Sequence, residues 1–588
     1  NNMNTAVVLL LCIGAVICVE NARPAYHFTA DKNWLNDPNG PMYWPAGNNY
    51  HLFYQYNPNA AVWGDMHWGH AVSKDLINWE YLPIALYPDQ SYDREGVWSG
   101  SAVINNNEPI IYYTGISGAD GYQVQCIATP ANLSDPNLIN WIKYPSNPVM
   151  EISQAIFTSG ELVGFRDPTT PWQHDGVWYM LVGSGTNTEG GLIFLYKSTD
   201  LFSWSFVSTF YAEDAAVSNV YECPDYFTLL DKSVLKFSEM DIRIDAWSVG
   251  SVDYETDKVA SVPHFVPESW GYVDYGINTY YASKTFLDAN DNRFIWGWLT
   301  ENDAPENWVA RGWAGVQTIR QVHLDADLGL LFRPLEALQD LRENHSLYAD
   351  INLSPTKLGF PLIKTEGNQL EIQFKISNYS SADKFGINVL SASDGKEYTG
   401  IFFTEPSGLL TDVNFPGGDY KTVIIPDGDE AICQNYCESE SLCFAWSFQI
   451  STVSCYLKTA SCPVFTQAEG FYSGHKALFG VLRGNSSEHD PVTSDQTQCA
   501  PFSDVTVGPI PGEPDIPVQI FVDHSVIEIF VNNGKQVMST RVYPNERSTH
   551  VDAWTQNGYV TFAGLQTWNI QAAAFTTYQQ QEDFLITL

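Results

Sequence analysis

Ser73-Lys74-Asp75-Leu76-Ile77-Asn78-Trp79, SKDLINW, and Ser198-Thr199-Asp200-Leu201-Phe202-Ser203-Trp204, STDLFSW, are nearly one phrase written twice in the same chain. A linker that recurs implies that the unit around it recurs. Between about residues 30 and 330 there is almost no helical periodicity, while short β-branched and aromatic runs return, each bounded by Gly, Pro, Asn or Asp. Five of these read as buried strands: HLFYQY (51–56), PIIYYTG (109–115), WYMLVGS (178–184), DAWSVGS (245–251) and RFIWGW (293–298). Their separations of about 50 to 70 residues suit a four-stranded unit, and radial repetition of such units makes a propeller. Five units predict five blades. A large β-sandwich is the other architecture this periodicity allows.

From about residue 355 the chain is strand-rich again, in QLEIQFKI (369–376), KFGINVLSAS (384–393), IPVQIFVDHSVIEIFVNN (516–533) and YVTFAGLQTWNI (559–570). FVDHSVIEIFVNNGKQVMSTRVY alternates over two expected strands about the Asn532-Asn533-Gly534 turn, a hairpin signature. This predicts a second, all-β sandwich domain. Six cysteines, Cys433, Cys437, Cys443, Cys455, Cys462 and Cys499, interrupt the pattern and mark a small inserted module. Disulfides are the expected use; zinc is the rival, but the spacings contain no C-x2-C pair and no His at ligand distance.

The apolar run from Ala6 to Val19 has the length of a signal-peptide core and is too short to span a bilayer, so secretion is expected, with cleavage near Ala22. Sequons at Asn132, Asn344, Asn378 and Asn485, and a weaker one at Asn352, agree with that. A formal charge of -39 with only 29 Lys and Arg excludes nucleic acid and anionic membrane as natural partners. At 588 residues the chain holds two to four domains.

In a propeller the segments leading into the buried strands converge on one channel. Those segments are NDPNG with Asp37, WSGSA (98–102), FRDPTT (165–170), YECPDYF (221–227) and DYGINTYYASKTF (274–286). Taken alone, WLNDPNG reads as a turn, because Asp-Pro and Asn-Gly are turn dipeptides. Its Asp gains meaning from company, since three of the five segments offer a carboxylate beside an aromatic. Convergent carboxylates with aromatic walls, and no nucleotide, flavin or metal motif, point to glycoside chemistry without cofactor or metal. A sugar-binding propeller would carry similar residues.

WLNDPNGP, WGHAVSKDLINW, YDREGVWSGSAV, FRDPTT, ECPDYF, DYGINTYYASKTF, WAGVQTIRQ and DHSVIEIFVN, in this order, resemble glycoside hydrolase family 32 from about residue 25 to the end. The resemblance implies an all-β fold, a five-bladed β-propeller followed by a β-sandwich. It implies a retaining β-fructofuranosidase that hydrolyses terminal fructosyl residues of sucrose and related sugars, with Asp37 as nucleophile, Glu222 as acid/base and Asp167 as transition-state stabiliser. A retaining pair is expected about 5 to 5.5 Å apart. Asp37 is expected ionised and Glu222 protonated at rest, with an acidic working pH and Arg166 pairing with Asp167. Asn36, Gln55, Trp63, Trp98, Ser99, Arg166, Asp225, Lys284 and Trp34 match pocket positions; Phe157 and Trp313 are lesser candidates. Retention of Trp34, Asn36 and Asn39 favours hydrolysis over fructosyl transfer; an exohydrolase of fructans and a non-catalytic fructan-binding protein are the alternatives.

The cysteine module resembles a PAN/apple domain, from its GDY opening through CYLK to the closing SGHK. That implies Cys433–Cys455 and Cys437–Cys443 bridges, leaves Cys462 with Cys499, and suggests contact with a polysaccharide or protein. The expected division is a leader at 1–22, propeller at 23–340 and sandwich at 341–588, with the insertion at 417–476.

Overall fold

The computed structural model describes residues 22–153, 161–212, 218–254, 262–276, 278–354, 363–379, 384–395, 397–404, 410–414, 419–425, 429–439, 443, 445–458, 466–475, 478–484, 498–501, 515–544, 547–556 and 558–578. Five blades surround a channel. Blade 1 runs Asn33–Trp44, Asn49–Asn57, His67–Ser73 and Trp79–Leu86; blade 2 runs Gly96–Asn105, Glu108–Ser117, Tyr122–Pro130 and Trp141–Lys143. Blade 3 opens with Gly164–Arg166 and continues with Val177–Thr186, Gly190–Ser198 and Ser205–Ala212. Blade 4 comprises Tyr221–Leu229, Lys232–Glu239, Ile244–Asp253 and His264–Tyr272, and blade 5 Tyr280–Leu287, Arg293–Leu299, Val316–Leu324 and Leu330–Pro334.

The repeated linkers are the same turn built twice. Each joins the third strand of a blade to its fourth. In SKDLINW, Ser73 Oγ accepts from Leu76 N (2.8 Å), Asp75 Oδ1 accepts from Ile77 N (2.9 Å), and Trp79 Nε1 donates to Leu76 O (3.2 Å). In STDLFSW the same bonds run Leu201 N to Ser198 (2.9 Å), Phe202 N to Asp200 (2.8 Å) and Trp204 Nε1 to Leu201 O (3.1 Å). A short polar side chain satisfies backbone donors while the Trp closes the turn against the blade.

Four of the five strands expected as buried are the second strands of their blades, but residues 245–251 form the third strand of blade 4. The hydrophobic runs therefore do not mark one blade position. The innermost strands lie just upstream, where the polar and aromatic motifs are.

WLNDPNG is not a turn. It lies inside the strand Asn33–Trp44, paired with Asn49–Asn57, and the register slips twice, between Leu35 and Pro38 and between Asn39 and Met42. Pro38 has no N–H to give the ladder, and Gly40 sits at φ 41°, with the Ala102 Cβ 3.3 Å from where its own Cβ would stand. The turn-forming residues produce bulges within an extended chain, and Asp37 stands at the first of them.

The sandwich pairs a sheet ordered Arg342–Leu347, Val560–Ile570, Gln369–Ser377, Ile516–Asp523, Val526–Val531, Gln536–Arg541 with one ordered Gln498–Pro501, Leu478–Gly484, Tyr398–Thr404, Lys384–Ser391, His550–Gln556. The two-strand reading of FVDHSVIEIFVNNGKQVMSTRVY is corrected to three strands, because the chain also reverses at His524, which has φ 54°. The cysteine module has its own five-stranded sheet and a helix, Glu430–Ser439; the sheet reaches back to Leu410, ahead of the expected start. Disulfides join Cys433 to Cys455 and Cys437 to Cys443, whereas Cys462 lies outside the described residues.

Propeller and sandwich dock through buried charge. His27 reaches Asp523 and Glu528, each at 2.9 Å, and Arg320 reaches Asp274 (2.6 Å) and Glu528 (2.9 Å). Among the described residues no helix is long and apolar enough to cross a membrane, and no His, Cys, Asp and Glu group suits a metal. Asn132, Asn344 and Asn378 are exposed; Asn485 and the expected leader fall outside the described residues.

Candidate active site

The first strands of blades 1, 2, 4 and 5, and the chain leaving that of blade 3, bring their motifs to one end of the channel. Asp37, on its bulge, is held at both oxygens: Asn36 Nδ2 donates to Oδ1 (2.9 Å) and Ser99 Oγ to Oδ2 (2.6 Å). Asn36 is itself fixed, because Trp34 Nε1 donates to its Oδ1 (2.7 Å) and Gln317 Nε2 to its backbone carbonyl (2.7 Å). Asp167 sits in the left-handed region at φ 63°, a conformation that Asp tolerates better than most residues. Its backbone N–H is held by Thr114 Oγ1 (2.9 Å), and its Oδ2 accepts from Cys223 N (2.9 Å). The Cys223 thiol lies between the two aspartates, 3.8 Å from Asp37 Oδ2 and 3.6 Å from Asp167 Oδ2.

Glu222, the residue before that cysteine, is partly exposed, as is Asp37, whereas Asp167 is buried. Arg166 gives it two hydrogen bonds, from Nε at 3.0 Å and NH2 at 2.9 Å, and Tyr281 OH donates to its other oxygen at 2.5 Å. The expected Arg166–Asp167 ion pair is present at 4.0 Å, and the guanidinium makes its directed hydrogen bonds to Glu222, which the sequence reading did not assign to it.

Electrostatics follow from crowding. Burial pushes Asp37 up from its ordinary range to about 6, helped by the charges of Asp167 and Glu222 and opposed by the bonds from Ser99 and Asn36. Burial also raises Asp167, against the pull of Arg166 and Lys284. Asp37 therefore retains a proton into mildly acidic pH, where the sequence reading expects it ionised at rest. Three carboxylates are gathered here about Arg166 and Lys284. Such an arrangement can attack an electrophilic carbon with one carboxylate and exchange a proton with another.

The remaining candidates divide by depth. Trp63 is 56% exposed and meets Trp98 edge-on at 5.9 Å, forming an aromatic rim. Gln55, Asp225 and Lys284 lie buried behind the surface layer. Gln55 Nε2 donates to Val97 O (3.1 Å), Lys284 Nζ to Pro224 O (2.9 Å), and Asp225 accepts from Thr285 N (2.7 Å). All three bind backbone of the motif strands. Trp313 is buried, with Arg311 stacked over it at 4.9 Å, and Phe157 lies outside the described residues. Tyr281, Thr114, Cys223 and Gln317 belong to the site but were not singled out by sequence. All four fall inside quoted stretches, yet nothing local distinguishes a tyrosine that bonds Glu222 from its core neighbour Tyr280.

Comparison with known proteins follows the same division. The model of the "Glycosyl hydrolases family 32 N-terminal domain" matches residues 27–334, and that of the "Glycosyl hydrolases family 32 C terminal" matches 337–569. The acid beta-fructofuranosidase of Phaseolus vulgaris is 34% identical over 559 residues, covering 89% of this chain and 76% of the relative. The insoluble beta-fructofuranosidase isoenzyme CWINV2 of Arabidopsis thaliana is 32% identical over 576 residues, covering 93% and 90%. Among solved structures, fructan 1-exohydrolase IIa from Cichorium intybus superposes with a TM-score of 0.72 at 26% identity, over 95% of this chain and 99% of that one.

Proposed function

The chain belongs to glycoside hydrolase family 32, and on that premise we propose that it is a retaining β-fructofuranosidase whose main substrate is sucrose. The gathering of Asp37, Asp167 and Glu222 about Cys223 carries this reading. Asp37 attacks C2 of the fructosyl unit while Glu222 gives its proton to the bridging oxygen, so the C2–O bond breaks and glucose leaves. A covalent fructosyl–Asp37 ester remains. Glu222, now ionised and bonded by Arg166 and Tyr281, takes a proton from water as its oxygen attacks C2, and the ester breaks. Asp167 holds fructose hydroxyls and faces the positive charge that develops on the ring in both steps.

Esterification removes the charge of Asp37, one of the carboxylates crowded in the site, before water attacks. Trp63 and Trp98 serve as the rim on which the leaving sugar stacks.

The names of relatives, one vacuolar and one a cell wall isozyme, support an extracellular or vacuolar compartment, and the apolar run from Ala6 to Val19 supports a leader over 1–22. The module near 417–476 serves as a tether to a polysaccharide or protein. A second reading, exohydrolysis of fructans, is favoured by the superposition on the chicory exohydrolase.

The test is product analysis on sucrose and on inulin near pH 5, at low and high concentration. Equimolar glucose and fructose from sucrose, initially as the β anomer, is the expected result. Fructose from inulin with little from sucrose would establish the second reading, and no release from either would overturn both. Asp37→Asn and Glu222→Gln are each expected to lower turnover by about 10³-fold or more.

A further inference from the structure

One buried carboxylate outside the catalytic cluster collects four donors from three parts of the chain. Glu301 follows blade 5's second strand, and its side chain is fully buried. It accepts from Arg311 NH2 (2.6 Å), from Gly315 N (2.7 Å), and from two residues of the sandwich, Arg541 NH1 (2.9 Å) and the Tyr543 hydroxyl. Asp303 completes the knot, bonding Arg311 NH1 (2.6 Å) and Trp308 Nε1 (2.6 Å).

Two routes lead from this knot to Asp37. In the first, Trp308 and Trp298 pack on Trp34 at 5.4 and 5.8 Å between ring centroids, and Trp34 orients Asn36, which bonds Asp37. In the second, the Gly315 N–H bound by Glu301 follows the short strand Trp313–Ala314, which pairs in parallel with Asn33 and Trp34. Gly315 lies at φ 87°, and a Cβ there would meet Leu35 O at 1.8 Å, so the segment is pressed against the strand that carries Asp37. Gln317, two residues on, bonds the Asn36 carbonyl.

We propose that the sandwich takes part in the reaction, with Arg541 and Tyr543 acting as positioning residues that hold Asp37 in attack geometry through Glu301, Trp308 and Trp34. The mechanism is steric and directional. Arg541 and Tyr543 fix Glu301, Glu301 fixes Arg311 and Gly315, and these fix the indole and the amide that orient Asp37. A buried carboxylate with four donors has one low-energy placement, whereas one short of donors must shift or admit water. Small displacements of a nucleophile cost rate steeply. This rests on the fructosidase reading for its activity readout.

The test compares Tyr543→Phe, Arg541→Gln and Arg541→Lys with Arg342→Gln, which breaks a part-buried sandwich ion pair, Arg342–Glu371 at 2.6 Å, that does not lead to Asp37. Tyr543→Phe and Arg541→Gln are expected to lower kcat on sucrose about tenfold or more, with KM within about twofold. The acid limb of kcat/KM should move up by about half a pH unit, because a loosened Asn36 no longer favours the ionised nucleophile. Arg541→Lys keeps the charge and should retain more of kcat than Arg541→Gln. Arg342→Gln should lose Tm without either kinetic change.

An unchanged kcat and acid limb in Tyr543→Phe would overturn the proposal, as would the same changes in Arg342→Gln. If the wild-type protein turned over no fructoside, the functional reading would fall by itself. Positioning would then be read from stability, as the pH at which the Tm gain from Asp37→Asn levels off, measured in wild-type and Tyr543→Phe backgrounds, because that pH follows the folded-state titration of Asp37. A higher levelling-off pH in the latter supports the proposal, and an identical one overturns it.

Discussion

Asp37 is a residue the fold keeps at its own expense. Its carboxyl is driven to about 6 from an ordinary value of 3.8, by burial first and by Asp167 next. The folded state therefore binds the Asp37 proton more tightly than the unfolded chain, and the penalty for ionising it is absent below about pH 4 and complete above about pH 7. A rise from 3.8 to about 6 corresponds to on the order of 3 kcal/mol at most, less where channel water screens the charge. Asp37→Asn is accordingly expected to raise Tm at pH 7.5 and to leave it unchanged at pH 4, while abolishing turnover. Paired thermal scans at the two pH values decide it. Equal Tm values at both would mean that the charge is solvated and the site more open than its contacts suggest.

Among the elements, the short strand Trp313–Ala314 with Gly315 does what hydrophobic patterning cannot foretell. It pairs in parallel with the strand of Asp37, joining blade 5 to blade 1 at the site itself. Gly315→Ala puts a methyl group against the Leu35 carbonyl and a side chain at φ 87°, so the bridge must move. The expected cost is about 3 kcal/mol, with turnover falling further than the folded fraction, as measured by denaturant midpoint and active-site titration. By contrast Gly176, also at positive φ, has open space where a Cβ would go, and Gly176→Ala should cost no more than about 1 kcal/mol.

For the whole molecule, two predictions concern how its parts are joined. The disulfide module is inserted between Tyr398–Thr404 and Leu478–Gly484, neighbours in one sheet, with Thr404 opposite Leu478. Removing the intervening chain and closing the strands with a tight turn leaves an ordinary hairpin. Sucrose turnover should survive the excision. A loss of kcat in the folded protein would show that the module shapes the site. The second prediction concerns the docked charges. Burial alone would lower His27, but its bonds to Asp523 and Glu528 raise it to about 9 from 6.5. Its stabilisation is complete below about pH 6.5 and is lost as pH rises through about 9, on the order of 3 kcal/mol. Tm of the wild type should fall between pH 7 and 9.5, and that of His27→Gln should start lower and fall less.

Composition, periodicity and motif order by themselves determined the all-β class, the five repeated units, the sandwich behind them and the three carboxylates. Each depends on local chemistry: an Asp-x-x-x-Trp turn satisfies its own backbone, alternation buries one face, and a motif carries its residues together. Tertiary structure decided what depends on partners far along the chain. It made WLNDPNG a bulged strand, because Asn49–Asn57 offered a ladder that a turn would have wasted. It gave the hydrogen bonds of Arg166 to Glu222 and left Asp167, its neighbour, an ion pair at 4.0 Å, because blade 4 brings Glu222 within 2.9 Å. It also tied Glu301 to Arg541, some 240 residues away. A carboxylate's ordinary neighbours are written in sequence, but its charge state is set by whatever the fold packs around it.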